Sequence, residues 1–383
     1  MTAAARLAGL LGTRFGRGFV LVDRDRGTTT IGLGKGTGGD TDRSAVPAVE
    51  VLPFDPADRR DPGPWGPPPR TASPWVATVP RGAGVPRWSG AEGPPVPDPG
   101  MPPVPGPARL ELPPRDRVVE SVGEVLRAIR AGRAEKIVPS VGARLVFPDP
   151  PPPGALAAAL VSSRAGGPDG RTRFALLAEG RLLVGATPER LFRLAPDGRL
   201  ETEALAGTGT PGEEERLLAS PKDREEHELV VRGIRESLAP LVEELEGPPE
   251  PAIRHLPGLV HLRTPLGGRV RPGVTAVDVL RALHPTPAVA GTPRDAALAW
   301  LRDREAPRGA FAAPLVVTWP DGTVEAFVVL RAAVLEGPVL HLRAGAGIVA
   351  DSDPAREADE ILAKLRATVA GLGLPLPAET THR

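Results

Sequence analysis

Residues 326–365 read AFVVLRAAVLEGPVLHLRAGAGIVADSDPAREADEILAKL. Two apolar runs flank Glu336–Gly337, and that pattern predicts a β-hairpin turning there. Asp353 and Pro354 then open a long helix, the aspartate as cap and the proline in the first turn. Strand, strand, helix in direct succession departs from the strand–helix–strand alternation of a parallel sheet. It favours the α+β class.

The same texture extends upstream. RFALLAEG, RLLVGATPERLFRL and RLETEALAGT are strand-like, and KIVPSVGARLVF predicts one or two strands interrupted at Pro139. ALAAALVSSRAG is a short helix. A longer helix is expected from Asp116 as cap, with Val118, Val122, Val125, Leu126 and Ile129 on its apolar face and Gly132 as its stop. Ser220–Pro221–Lys222–Asp223 opens another, expected to run to about residue 245, with Asp223 closing a capping box. Further helices are expected over about 275–283 and 293–304. The first 52 residues read as short strands and turns. Residues 53–114 hold 20 of the 49 prolines, which disfavours helix and central strand and predicts extended edges and loop. No fixed-period repeat is present.

Composition narrows the function. The 383 residues include 47 basic and 47 acidic side chains, so a nucleic-acid or anionic-membrane surface is not expected. Cysteine is absent, which excludes thiolate metal sites, thiol nucleophiles and a disulfide scaffold. The opening MTAAARLAGLLGTRFGR has too short an apolar run for a signal peptide, and no segment reaches the roughly 18 apolar residues of a membrane helix. A soluble, cytoplasmic protein is the expectation. Of the 47 basic residues only Lys35, Lys136, Lys222 and Lys364 are lysines. Among so many arginines, a lysine can mark a place where the charge must be able to leave; chance survival is the other explanation.

Several residues could carry chemistry. Asp223 and Glu226 are spaced i, i+3; Glu357, Glu360 and Lys364 are spaced i, i+3, i+7, so each set shares a helix face. Either set alone is explained by a solvated acidic first turn that the helix dipole favours. Convergence of the two would make a hard oxygen site suited to Mg²⁺. Arg331, inside an apolar strand, needs an anion: a buried partner or a substrate carboxylate. LAGTGT (205–210) and AGAGIV (344–349) put glycines at strand ends, where backbone N–H groups can approach an anion. Lys136 opens an apolar strand and Glu189 lies in GATPER; the two could serve as base and acid. His284 in LHPTPAVAG is either a substrate contact or structural.

In order, KIV (136), GATPERLF (185), ETEALAGT (201), SPKDREEHELVV (220), LVHLRTPLGG (259), LHPTPAVAGTP (284), RGAF (308), VLRAAV (329) and AGAGIVADSDPAREADEILAKL (344) resemble the chorismate-utilising enzymes: isochorismate synthases, salicylate synthases and the large components of anthranilate and aminodeoxychorismate synthases. The resemblance implies an α+β fold of large antiparallel β-sheets packed with flanking helices around a central active-site cleft. Residues 1–115 would be an N-terminal strand and Pro-rich part of it, 116–370 the chorismate-binding catalytic domain, and 371–383 a tail. It implies Mg²⁺ as cofactor, with Glu226 and Glu360 as carboxylate ligands supported by Asp223 and Glu357. Arg331 and Lys364 would bind the substrate's side-chain carboxylate. Gly207, Thr208, Gly345 and Gly347 would offer backbone contacts, and His284 would lie against the substrate. Lys136 would be general base and Glu189 general acid.

The implied reaction is isomerisation of chorismate to isochorismate. Lysine at 136 and alanine at 206 favour water over ammonia, so no glutaminase subunit is expected; the protein would be a monomer or homodimer. A salicylate synthase, an enzyme like anthranilate synthase component I, and a catalytically weak chorismate-binding protein are the alternatives. Val141, Pro139, Phe311, Ala313, Val316 and Ala290 depart from the family's pattern and could reshape the pocket.

Overall fold

The computed structural model describes residues 109–162, 172–178, 181–256 and 258–382. Before these it describes 17–23, 28–34, 48–52, 54–55, 57, 70–71, 75–80, 87–89, 104 and 106–107. The N-terminal strands are β1 (Arg17–Asp23), β2 (Thr28–Gly34), β3 (Ala48–Val51), β4 (Arg70–Thr71), β5 (Trp75–Pro80), β6 (Arg87–Ser89) and β7 (Arg109–Leu112). There follow α1 (Arg115–Arg130), β8 (Lys136–Ile137), β9 (Ser140–Val146), α2 (Pro153–Ser162), β10 (Thr172–Ala178), β11 (Arg181–Thr187), β12 (Arg190–Leu194) and β13 (Arg199–Gly209). Next come α3 (Glu214–Ala219), α4 (Pro221–Leu238), β14 (Val242–Glu246), β15 (Ala252–Leu256), β16 (Leu259–Val270), α5 (Ala276–Leu283), β17 (Gly291–Thr292) and α6 (Arg294–Arg304). The chain closes with β18 (Pro314–Thr318), β19 (Val324–Val328), β20 (Ala332–Glu336), β21 (Val339–Gly345), α7 (Pro354–Gly371) and β22 (Glu379–His382).

Two large sheets organise the molecule. One has eleven strands, in the order β22-β7-β9-β21-β20-β11-β10-β1-β2-β5-β6; the other has nine, along β14-β16-β13-β12-β19-β18-β3-β4 with β15 on β16. Pairing is antiparallel except between β22 and β7. Strand periodicity splits the larger sheet between two cores. Phe174, Leu176 and Leu183 point into the core shared with the second sheet, while Ala175, Leu177, Leu182 and Val184 point toward α1, α2 and α7. The N-terminal strands belong to these sheets too: β1 pairs with β10, and β3 with β18. The C-terminal residues read as a tail supply the parallel strand β22.

Helix boundaries follow local chemistry, with corrections. Asp116 is not the cap of α1. Pro114 occupies that position without a side-chain bond, and Arg115, one residue earlier, pairs with Asp359 of α7 at 2.7 Å. Ser220 does cap α4, accepting from the Asp223 N–H at 3.2 Å, but Asp223 turns its carboxylate elsewhere and no capping box forms. α4 ends at Leu238. VEELE has good helix propensity, yet its backbone groups pair with β16, so tertiary pairing overrides propensity. Pro139 sits between β8 and β9, where it interrupts no ladder bond. The run AFVVLRAAV is not one strand: β19 belongs to the second sheet and β20 to the first.

Candidate active site

That break is where the site begins. β11 hands over to β12 through Pro188–Glu189, and β19 to β20 through Val329–Arg331, each passing from one sheet to the other. The two crossings run side by side: Ala186 N–H donates to Arg331 O and Val328 N–H to Glu189 O, both at 3.1 Å. Arg331 turns the corner with φ 50°, a left-handed conformation that costs a non-glycine residue of order 1 kcal/mol or more. Where the sheets part, a cleft of about 760 Å³ opens, lined by both Glu189 and Arg331.

A bulge forms the next wall. The β13–β16 register slips between Ala206 and Thr208, with Gly207 at φ 76°. His261 on β16 backs the bulge, its Nδ1 3.2 Å from both Gly207 O and Thr208 Oγ1. Burial, with Lys364 and Arg331 nearby, pulls this histidine down to about 3, so it is neutral. Opposite, β21 ends at Gly345, whose carbonyl accepts from Lys364 Nζ at 3.1 Å; Arg331 donates to Lys364 O at 3.2 Å.

The carboxylates of α4 and α7 do converge. Lys222 Nζ lies among them, 2.7 Å from Glu357 Oε1, 3.4 Å from Glu226 Oε2 and 3.5 Å from Asp223 Oδ1. Lys364 pairs with Glu360 on its own helix. Burial would raise Glu226, but Lys136, Lys222 and Lys364 outweigh it and hold the carboxyl near 2. Burial would likewise raise Glu360, and Lys364 brings it below the usual range. Glu357 is pushed up to about 7, by burial and then by Glu360. Burial opposes the charge on Lys222, yet Glu226, Glu357 and Glu360 raise it above the ordinary lysine value. Three carboxylates around one ammonium, with Glu360 close by on α7, are the hard oxygen donors that a divalent-cation site uses. Among the described residues, however, no three acidic or histidine side chains stand in ligating geometry, and the Lys222 ammonium lies among these carboxylates.

Lys136 is 0% exposed and does not line the cleft directly. Its Nζ sits 3.1 Å from Glu226 Oε1, and burial depresses it against the pull of that carboxylate. Gly347 makes the pair possible: a Cβ there would lie 2.2 Å from Glu226 Oε1 and 2.5 Å from Lys136 Cε. Glu189 is raised to about 8, first by burial and then by Glu203, so it is protonated at neutral pH.

Of the residues singled out from sequence, Glu189, Gly207, Thr208, Glu226, Arg331, Gly345, Gly347 and Lys364 line this cleft. Asp223, Glu357 and Glu360, with Thr208 again, line an adjoining hollow beyond the carboxylates. His284 lines neither. It caps α5, and its Nε2–H donates to Phe54 O at 3.0 Å. Burial lowers this histidine to about 4, so it is neutral. Sequence reading assigned no role to His261, Arg308 or Arg343, which also line the cleft. Their signal was a charged or polar residue at an inward position of an apolar strand or loop, in LVHLR, RGAF and LHLRAG. Phe311, one of the departures, forms part of the wall.

Residues 103–373 match the family model described as chorismate binding enzyme. The chain is 45% identical over 193 residues to the salicylate biosynthesis isochorismate synthase of Pseudomonas aeruginosa, covering 48% of this chain and 40% of that protein. It is 39% identical over 210 residues to isochorismate synthase EntC of Escherichia coli, covering 52% and 53%. The matched stretches thus span about half or less of these curated relatives. Among solved structures it resembles MenF, the menaquinone-specific isochorismate synthase from Escherichia coli, with TM-score 0.77 at 24% identity over 97% of this chain and 91% of that one. It also resembles anthranilate synthase component I from Streptococcus pneumoniae, with TM-score 0.68 at 18% identity over 87% and 82%. At these identities the structural likeness shows the fold.

Proposed function

Because this chain belongs to the chorismate-binding enzyme family, we propose that it is an isochorismate synthase, isomerising chorismate to isochorismate. The observation that carries the reading is Glu189: a buried carboxyl held protonated to about pH 8, in a cleft whose wall also carries Arg331, Lys364, Arg308 and Arg343, beside Glu226. Such a wall suits a dianionic substrate and a step that needs a proton donor.

In this scheme Arg331 and Lys364 hold the side-chain carboxylate, and the Gly207–Thr208 bulge and the strand end at Gly345 flank the ring. A divalent cation, Mg²⁺ by its match to hard carboxylate oxygens, would be held by Glu226 and Glu360 with Asp223 and Glu357 in support; when bound it would supply Lewis-acid polarisation of the ring carboxylate. Lys222, which lies among these carboxylates, would have to give up its place. Neutral Lys136 removes a proton from water as the water oxygen bonds to C2. The ring double bonds shift, the C4–oxygen bond breaks, and Glu189 protonates the leaving hydroxyl. Alanine at 206, in the cleft wall, leaves no amine there to serve as nucleophile.

The test is incubation of purified protein with chorismate and MgCl₂, followed by chromatographic separation. Isochorismate as the product is expected. Salicylate with pyruvate would reassign the chain to salicylate synthesis, and unconsumed chorismate would overturn the proposal.

A further inference from the structure

The region that matches the family starts at residue 103, yet two side chains from before it reach the back of the cleft wall. The chain leaves β3, and Leu52 N–H donates to Pro314 O at 3.0 Å. Phe54 is then buried between two groups of the catalytic region. The Arg308 guanidinium carbon stands 4.6 Å from the centre of its ring, and the His284 ring meets it edge-on at 5.8 Å. The Phe54 carbonyl accepts the His284 Nε2–H at 3.0 Å. Asp55 forks onto Arg302 of α6, with NH2 to Oδ1 at 2.9 Å, and also accepts the Ala57 N–H at 3.0 Å.

Arg308 carries this contact inward. NH1 donates to Val289 O at 2.7 Å, NH2 to Val138 O at 2.5 Å, and Glu305 takes the remaining side of the fork at 2.7 Å. Val138 N–H donates to Ala290 O at 3.0 Å, and β8 pairs through Lys136 with Thr292 of β17. The strand that carries Lys136 and the loop that carries Val289 are therefore tied through one guanidinium, and Phe54 is the surface it rests on. A cation stacked on a desolvated aromatic face keeps its hydrogen-bonding edge free, which is what binding two carbonyls and a carboxylate requires.

We propose that Phe54 and Asp55 are positioning residues of this active site: they seat Arg308 and the 284–291 loop, and through these set the place of Lys136. The kinetic arm of the test rests on the isochorismate synthase reading; the exchange arm does not. Phe54→Leu keeps an apolar side chain of similar volume but removes the ring face, and Asp55→Asn removes the charge facing Arg302. The control is Leu177→Ala, in the core on the helix side of the large sheet.

Hydrogen exchange by mass spectrometry should show faster exchange over 136–139 and 284–292 in both variants and not in the control. With chorismate and Mg²⁺, kcat should fall at least about tenfold, since small misplacements of reacting groups cost that much or more. KM should move less than about threefold. Restoring the ring face with Phe54→Trp should recover part of kcat. Unchanged exchange in those two segments overturns the proposal whatever the enzyme does. Lower melting temperature with wild-type kcat overturns it as well, leaving Phe54 as packing alone. If wild-type protein consumes no chorismate while the exchange change is present, the functional reading fails and the positioning role stands.

Discussion

Replacing Glu189 by glutamine should make the protein more stable at neutral pH while sharply lowering its turnover. The buried Glu189 carboxyl ionises near 8, against 4.5 for an ordinary glutamate. The folded state therefore holds a proton that the unfolded chain has already released. Below about pH 4.5 both states are protonated and no penalty exists. From there up to about 8 the unfolded state gains from ionisation that the folded state forgoes, at about 1.4 kcal/mol per pH unit. At pH 7 the penalty is on the order of 3–4 kcal/mol, a sizeable part of the stability of an ordinary domain. Glutamine cannot ionise and has nearly the same shape, so the penalty disappears. Urea unfolding of wild type and Glu189→Gln between pH 5 and 8.5 should give a gap that is small at pH 5, widens to pH 8 and then levels off. Chorismate turnover of the variant should fall by about 10²–10⁴, the usual contribution of a general acid. A stability gap that is the same at every pH, or a glutamine variant less stable at pH 7, would refute the claim that Glu189 is stored protonated.

Three further outcomes are expected. Lys136→Ala should eliminate isochorismate formation and, by stripping the buried Glu226 of its 3.1 Å partner, lower the melting temperature at pH 7; full activity would remove Lys136 from the base role. Gly347→Ala places a Cβ where Glu226 Oε1 and Lys136 Cε meet, so it should both reduce turnover and weaken Mg²⁺ binding measured by calorimetry. Phe192→Ala, fully buried between the sheets, should cost about 3–5 kcal/mol in chemical denaturation without altering the pH dependence of whatever activity remains.

Much of the fold was legible because short-range chemistry repeats reliably. Serine before proline and aspartate before proline mark the starts of α4 and α7, and both caps are present at 3.2 and 2.9 Å. The Glu336–Gly337 turn and the apolar face of α1 follow from spacing alone. The failures share one cause. VEELE was read as helix, and AFVVLRAAV as one strand, because periodicity describes a segment and not its neighbours. β14 is a strand only because β16 offers it an edge, and Arg331 marks a change of sheet that no local pattern encodes. Nor does any local pattern show that the carbonyl of Phe54, 230 positions earlier, takes the hydrogen bond of His284.

The amino-acid order alone determined the α+β class, the helix faces that carry Glu226, Glu357, Glu360 and Lys364, and the short inventory of groups able to do acid–base chemistry. These depend on residue type and spacing, which act over a turn of helix or a pair of strand positions. Tertiary structure decided which of those groups meet: that two sheet crossings lie side by side to open the cleft, that Lys222 stands among the carboxylates, and that Lys136 is enclosed behind Gly347. Burial and electrostatic coupling act across space between residues far apart in the chain. The protonation of Glu189 and the charge of Glu226 therefore belong to the folded molecule and to no segment of it.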